Sequence, residues 1–220
     1  MTRELVPAKV SDNSLVTERR SHLVAAATEL LLHQGFHDTS VREIAAAVGW
    51  QMGTLYLYIS RKEDVLYLIS QSVMAELWDG LKVLPEQETA RASLDAAARY
   101  FFGAVARKRR EIKLIYRESA SLGEEHLAVV QDTELSERDF FAAIIRKGIE
   151  TGEFRALNPD LMAHDIITLA HMWALKCWAL ADHMTFEDYV EQQLALLFEH
   201  RAPSEAVSLP VLAPGASPAA

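Results

Sequence analysis

Cationic residues, cysteine and long apolar runs are all scarce in this sequence. Lysine and arginine total 22 against 31 aspartate and glutamate residues, which gives a formal net charge of −9 and excludes a broad basic surface for nonspecific nucleic-acid binding. Cys177 is the single cysteine, so the chain cannot form an internal disulfide. No run approaches the roughly 20 apolar residues that a membrane-spanning helix requires, and no signal-peptide pattern is visible. We therefore expect a cytoplasmic protein.

The remaining composition is that of a globular helical protein. Half of the residues are hydrophobic and 24% are charged, a balance that supports a packed core. Apolar residues recur at helical spacing, as at Leu23, Ala27 and Leu30, whereas no segment of useful length alternates with a period of two. The sequence therefore predicts an all-α fold of about nine helices.

Local signals predict where these helices begin and end. A first helix is expected from Thr17 to Gly35, and Ser40 with Glu43 has the spacing of a capping box that opens a second. A short third helix is expected over residues 54–59, and Ser60 with Glu63 would cap a fourth. Asn158 before a proline, and Thr185 with Asp188, mark two later helix starts. The later helices are expected at about 90–105, 109–120, 124–151, 159–182 and 186–200.

Two short helices separated by Gly49 have the arrangement of a helix-turn-helix motif. Residues 35–45, Gly49, residues 53–58 and residues 62–66 together resemble the DNA-binding signature of the TetR family of transcriptional regulators, over about 50 residues with the spacing intact. The sequence departs from the family pattern at Trp50, Gln51, Ile59 and Arg61. Because positions 50–52, where the operator would be read, are specific to this sequence, the operator sequence cannot be transferred from a relative.

This resemblance implies a homodimeric, sequence-specific repressor that binds a palindromic double-stranded operator and is released by a small apolar ligand. It implies phosphate contacts from Thr39, Tyr58 and Lys62. Contacts to base edges or adjacent phosphates would come from Arg42, Gln51, Met52, Thr54 and Tyr56. Arginine suits guanine and glutamine suits adenine, so Arg42 and Gln51 are the expected direct readers of sequence.

The predicted domain organisation has four parts. Residues 1–16 form a flexible arm, residues 17–66 the helix-turn-helix domain, residues 67–202 a helical domain for ligand binding and dimerisation, and residues 203–220 a disordered tail. The stretch 159–182 is apolar on nearly all sides, which is typical of a fully buried or interfacial helix. By resemblance, this helix and residues 186–200 pair with their copies in a dimer.

The larger domain has more aromatic and flexible apolar residues than a small helical core needs, which suggests a pocket. The expected lining is Trp78, Phe101, Phe102, Tyr116, Phe141, His171, Met172 and Trp178. Residues 107–110 form a basic cluster, which is either a solvated face or, through Arg109 and Arg110, a site for an anionic group such as the phosphates of coenzyme A. Acyl-CoA is the leading ligand, and a free hydrophobic drug or metabolite is the alternative.

Other classes of function are less well supported by the residues. His164, Asp165 and His171 could converge only partly on a metal, because neighbouring positions on a helix face about 100° apart and a third good ligand is missing. No nucleotide-binding glycine loop and no nucleophile elbow is present. We expect no catalytic residues, no metal and no cofactor. One rival hypothesis is a small all-α enzyme or ligand carrier whose first three helices are only structural, and another is a protein-interaction adaptor without DNA affinity.

Overall fold

The computed structural model describes residues 5–198, and in that range it is entirely helical, as predicted. Nine α-helices follow one another in this range when the two short segments that prolong the fourth are counted with it, and two 3₁₀ turns, Ser119–Ser121 and Cys177–Ala179, lie between later helices. None of the described helices is long and apolar enough to cross a membrane. The helices are α1 (Asn13–Gln34), α2 (Val41–Val48), α3 (Met52–Leu55), α4 (Glu63–Met74), α5 (Ala90–Arg107), α6 (Arg109–Glu118), α7 (Glu124–Glu150), α8 (Pro159–Lys176) and α9 (Phe186–Phe198).

The predicted arm, residues 1–16, differs from the structure where residues 5–16 are described. α1 begins one turn earlier than expected because Asp12 caps it, accepting hydrogen bonds from the backbone N–H groups of Ser14 and Leu15. Val6 is buried, and its carbonyl accepts a hydrogen bond from Arg20 of α1. Much of the expected arm is therefore packed structure. The predicted tail, residues 203–220, lies outside the described residues.

Three of the expected helix starts are confirmed at atomic detail. The backbone N–H of Ser40 donates to Glu43 Oε2 (2.7 Å), and that of Glu43 donates to Ser40 Oγ (3.2 Å). Asn158 accepts from two N–H groups in the first turn of α8, where a proline occupies the first position. Thr185 and Asp188 cap the start of α9 reciprocally.

The third and fourth helices begin differently from the prediction. α3 is only the four residues Met52–Leu55, and residues 56–58 form a turn. The expected capping box of Ser60 with Glu63 is replaced by Asp64, whose Oδ2 accepts from the N–H groups of Ser60 (2.7 Å) and Arg61 (3.1 Å). The buried Asp64 thus supplies the acceptor one residue later than the pattern predicted.

Two hydrophobic cores organise the molecule, and α4 belongs to both. Leu66 and Ile69 lie in the core of the N-terminal unit, which α1–α3 and the first half of α4 form together with Leu114 of α6 and Leu122. Val73 and Leu77 lie in the core of the C-terminal unit, which α5–α9 form with the second half of α4. The expected boundary at residue 66 therefore falls inside a continuous helix.

α4 continues beyond Met74 through a π-helical turn, Ala75–Asp79, and a short last segment, Gly80–Lys82. The hydroxyl of Tyr100 on α5 donates to the carbonyl of Glu76 in the π turn (2.5 Å). Any side chain at position 80 would displace the Tyr100 ring, since a Cβ atom there would lie 1.6 Å from that same hydroxyl oxygen. Such π turns are frequent at functional sites, and this one connects α4 to α5.

Lys62 ties the start of α4 to the loop after α1. Its Nζ donates to the carbonyl oxygens of Phe36 (2.8 Å) and Thr39 (3.0 Å) and lies 4.2 Å from the centre of the Phe36 ring. Hydrogen bonds from a charged donor contribute more than neutral ones do. The side chain thus holds together the two ends of the segment that contains α2 and α3.

The Lys62→Met substitution should lower the free energy of unfolding by about 1.5–3 kcal/mol, because it leaves two carbonyls without their charged donor. Urea denaturation followed by circular dichroism measures this change. Lys147→Met is the matched control, because Lys147 pairs with Glu86 in an exposed ion pair, and it should change stability by less than about 0.5 kcal/mol. Equal effects of the two substitutions would contradict the role given to Lys62.

Candidate nucleic-acid interface and cavity

The expected base-reading residues gather on one exposed part of the N-terminal unit. Arg42 on α2, Gln51 and Tyr56 are exposed, and Met52 and Thr54 on α3 are half-buried. Gly49 makes the turn between the two helices in the left-handed conformation (φ 75°, ψ 27°), which glycine adopts without steric cost. The arrangement presents α3 and the adjoining face of α2 together, as a helix-turn-helix requires.

Apolar side chains fix this presentation from beneath. Ile44 and Leu55 are completely buried in the N-terminal core. Trp50 packs against Tyr58 with ring centres 5.2 Å apart, and the guanidinium of Arg19 lies 5.6 Å from its ring centre. Trp50 is therefore half-buried and has a structural role. The side chains at 51 and 56 are exposed to solvent, and those at 52 and 54 are half-buried.

The three expected phosphate contacts are placed differently. Thr39 is only 2% exposed, and its hydroxyl donates to the carbonyl of Gly35 (2.6 Å). Tyr58 is 4% exposed beneath Trp50, and Lys62 is committed to backbone carbonyls, as described above. Each is a polar residue whose sequence position suggested DNA contact but whose polar group or ring stabilises the fold in the free protein. Their contact with phosphate stays a prediction.

A cavity of about 260 Å³ lies in the C-terminal unit, just below the roughly 300–1,000 Å³ of small-molecule sites. Its walls come from four helices: α4, α6, α7 and α8. Most lining atoms are apolar, and neither lysine nor arginine is among them. The lining residues are Ser70, Val73, Met74, Leu77, Ile112, Ile115, Tyr116, Ser119, Leu122, Leu127, Val130, Gln131, Thr133, Glu134, Glu137 and His171.

Polar groups from three helices meet in this cavity. The Tyr116 hydroxyl and His171 Nδ1 are 2.8 Å apart and share a hydrogen bond, while His171 Nε2 is buried with no partner among the described residues. Burial lowers the pKa of His171 to about 4. Burial, with a smaller contribution from Glu134, raises the pKa of Tyr116 to about 12. Both groups are therefore neutral at physiological pH.

Glu137 is the third polar group, and it is 4% exposed. Burial, with a further contribution from the nearby Glu134, raises the pKa of Glu137 to about 8. No described residue forms a hydrogen bond with its carboxyl group. Sequence reasoning missed this residue, although a signal was present: Glu137 interrupts an apolar stripe that includes Val130 and Phe141.

Only two of the eight expected pocket residues line the cavity, namely Tyr116 and His171. The other six are core or surface residues. Phe101, Phe102 and Phe141 are at most 1% exposed in the core, Trp78 and Met172 are half-buried outside the cavity wall, and Trp178 is 72% exposed. Aromatic content alone cannot separate a pocket from a packed core, because both use large apolar side chains.

The basic cluster at residues 107–110 is largely neutralised. Arg107 pairs with Glu76 (2.8 Å), Lys108 with Glu111 (3.8 Å), and Arg110 with Glu29 of α1 through two hydrogen bonds (2.6 and 2.7 Å). Arg109 is exposed, and its guanidinium donates a hydrogen bond to the sulfur of Cys177 (3.3 Å). Of the four, Arg109 alone has no carboxylate partner among the described residues.

Comparisons with known proteins agree with the helix-turn-helix interpretation. A model described as bacterial regulatory proteins of the tetR family matches residues 23–67, and a tetracyclin repressor-like C-terminal domain matches residues 87–175. The HTH-type transcriptional regulator HbdR of Aromatoleum sp. (strain CIB) is 31% identical over 197 residues, which cover 89% of this chain and 86% of that protein.

Solved structures share the fold. A tetR-family regulatory protein from Rhodococcus RHA1 has a TM-score of 0.74 at 22% identity, covering 83% of this chain and 96% of that one. AibR in complex with isovaleryl coenzyme A and operator DNA has a TM-score of 0.67 at 22% identity, covering 82% of this chain and 98% of that one. The chain belongs to the TetR family of helix-turn-helix transcriptional regulators.

Proposed function

We propose that this regulator is a homodimeric repressor whose affinity for its operator falls when the acyl group of an acyl-CoA occupies the cavity. The observation that carries the proposal is the position of the cavity, whose walls include α4 and α6, two helices that connect the C-terminal unit to the DNA-reading unit. A ligand changes an equilibrium only by its differential affinity for the two states. A ligand in this cavity contacts α4 and α6, whose positions would differ between the DNA-bound and the released state.

α4 is the first connection. It begins directly after the reading turn, where Asp64 caps it, and its second half lines the cavity through Val73 and Leu77, among others. A displacement of that second half is transmitted along a helix that is fully packed in both cores. The separation of two recognition helices in a dimer must match the spacing of two half-sites, so a small shift is enough to weaken binding.

α6 is the second connection, because one of its faces lines the cavity and another contacts the N-terminal unit. Ile112 and Tyr116 line the cavity, whereas Arg110 and Arg117 reach the N-terminal unit. Arg117 donates to the carbonyl of Leu31 (2.8 Å) at the end of α1. A ligand that moves the cavity face of α6 also moves these contacts.

The chemistry of the cavity favours an acyl ester over a free anion. Its wall is mostly apolar and contains two glutamates but no cation, so a free carboxylate would be buried without a charge to offset its own. The relative AibR has been solved with isovaleryl coenzyme A, and the modest volume suits a short acyl chain. Arg109 lies three and seven residues before Ile112 and Tyr116, on the same side of α6, where it could pair with the anionic groups of coenzyme A.

The dimer is supported by the apolar surface of α8 and α9. Leu161 on α8 is 57% exposed and Leu196 on α9 is 61% exposed, and both border one surface depression with Leu157 and Leu197. Exposed apolar groups concentrated in one place mark interaction sites. Leu194, by contrast, is 2% exposed and belongs to the core of its own protomer.

Selection from random double-stranded DNA should enrich a palindromic site for the wild-type protein. Gln51→Ala should relax the preference at one position of each half-site, costing about 1–3 kcal/mol against the preferred base. Gln87→Ala, in the loop before α5, is the control and should leave the selected sequence unchanged. A wild-type protein that enriches no site would contradict the repressor proposal.

Leu196→Asp should convert a micromolar dimer into a folded monomer, because it places a charge in an apolar interface. Sedimentation velocity gives the oligomeric state, and circular dichroism shows that helix content is kept. Leu135→Asp makes the same change at an exposed leucine of α7 and should leave the dimer intact, while Leu194→Asp should unfold the protomer. A wild-type protein that sediments as a monomer at micromolar concentration would refute this interface.

Short-chain acyl-CoA esters should release the protein from its selected site, whereas free coenzyme A and the free acids should not. Fluorescence anisotropy of labelled DNA measures the release. Arg109→Ala should raise the ester concentration needed for half-release about tenfold, if one charge-assisted contact of about 1.4 kcal/mol is lost. Arg138→Ala, which removes an exposed arginine paired with Asp139, should have no effect. Indifference of the complex to every ester would refute the ligand class and leave DNA recognition standing.

A further inference from the structure

The buried residue Glu137 has a carboxyl group that the described part of the fold uses in no hydrogen bond or ion pair. It lies on α7 in the wall of the cavity and is 4% exposed, and no described residue forms a hydrogen bond or an ion pair with it. Buried polar groups in native proteins are almost always hydrogen-bonded. A group left without a partner in a cavity wall is therefore a candidate for ligand contact.

The groups that face Glu137 come from three helices. Glu134 lies one turn earlier on α7, Tyr116 faces from α6 and His171 from α8, while α4 contributes Ser70 and apolar side chains. None of these groups is cationic at neutral pH, because burial lowers the pKa of His171 to about 4. The hydroxyl of Tyr116 is already paired with His171.

These surroundings determine the protonation state of Glu137. Desolvation disfavours a buried carboxylate, and a neighbouring carboxylate adds to that effect, so the pKa of Glu137 is raised to about 8. At neutral pH the group is mainly the neutral acid, which has one O–H donor. The cavity then offers a free hydrogen-bond donor in apolar surroundings.

We infer that Glu137 is the specificity-determining residue of the cavity, donating a hydrogen bond to the carbonyl oxygen of a neutral acyl ligand and excluding the corresponding carboxylate. The inference rests on the proposed function for its ligand class. A thioester carbonyl accepts the O–H and carries no charge. A carboxylate would add an anion beside Glu134 and Glu137, with no cation in the wall to offset it.

The first test needs no ligand and concerns the pH dependence of stability. The pKa of Glu137 is raised on folding, from 4.5 to about 8, so its contribution to stability is full below pH 4.5 and is lost as the pH rises through 8. Urea midpoints of the wild type should therefore fall, relative to those of Glu137→Gln, between pH 5 and pH 9. Midpoints of the two proteins that stay parallel over this range would overturn the neutral-acid assignment.

The second test measures binding of isovaleryl-CoA and of isovalerate by isothermal titration calorimetry, without DNA. The wild type should bind the ester about tenfold more tightly at pH 6.5 than at pH 9, one unit above the pKa of the acid, and should not bind isovalerate. Glu137→Gln keeps a neutral donor and should bind at both pH values with similar affinity. Because the ionisation of coenzyme A itself is common to both proteins, this comparison isolates Glu137.

Glu137→Leu keeps the volume and removes the donor, so it should bind the ester at least tenfold more weakly at pH 6.5. Equal affinity of Glu137→Leu and the wild type would overturn the inference, as would tight binding of isovalerate. Isoamylamine, a cation with the same branched chain, tests the opposite charge preference, and binding that strengthens as Glu137 ionises would also overturn it. A wild type that binds no isovaleryl-CoA refutes the acyl assignment, whereas operator selection measures the DNA-binding function separately.

Discussion

The continuity of α4 through both hydrophobic cores is the constraint on which the rest of the structure depends. Its first half is packed against α1 and its second half against α5, and most of its residues are buried. Protein interiors are packed as densely as organic crystals, so neither core can absorb a displacement of this helix by local compression. The DNA-reading unit and the cavity are therefore joined by a densely packed helix. α6 connects them a second time, through the hydrogen bond of Arg117 to the end of α1.

The charge distribution limits how much electrostatic attraction can contribute to DNA affinity. The chain has a formal net charge of −9, and several arginines are paired with carboxylates, as Arg110 is with Glu29. Lys62, which resembles a phosphate contact in sequence, is occupied by two carbonyls. Arginines that are already paired with carboxylates release fewer counterions on DNA binding, which reduces the dependence of affinity on salt. We expect sequence preference to depend on the exposed side chains around Gln51.

Sequence patterns predicted the parts of the structure that local chemistry determines. The capping pair of Ser40 and Glu43 and the Asn158 cap were predictable because each satisfies backbone groups within one turn. The boundaries of α3 and α4 were not, since the cap depends on whether Glu63 or Asp64 points back toward Ser60. The cavity was hardest to predict, because its lining comes from four helices that are distant in sequence.

The placement of the expected DNA contacts was unpredictable for the same physical reason. Thr39 and Tyr58 are polar residues in a recognisable motif, and the motif indicates that they matter without indicating which side they face. Their burial depends on long-range packing, including the loop that Lys62 closes. Glu137 is the converse case, because a charge within an apolar stripe was visible in the sequence but acquired meaning only when the cavity was located beside it.

The contact between Gly80 and Tyr100 has a consequence for how the sequence can vary among relatives. The phenolic hydroxyl occupies the volume where any side chain at position 80 would begin, and it also satisfies a carbonyl of the π turn. Neither position can therefore change alone without loss, because a larger residue at 80 displaces the ring and a smaller one at 100 leaves the carbonyl of Glu76 without its donor. Homologues that retain this contact should therefore keep both residues, so that joint retention of the two positions traces the contact through the family.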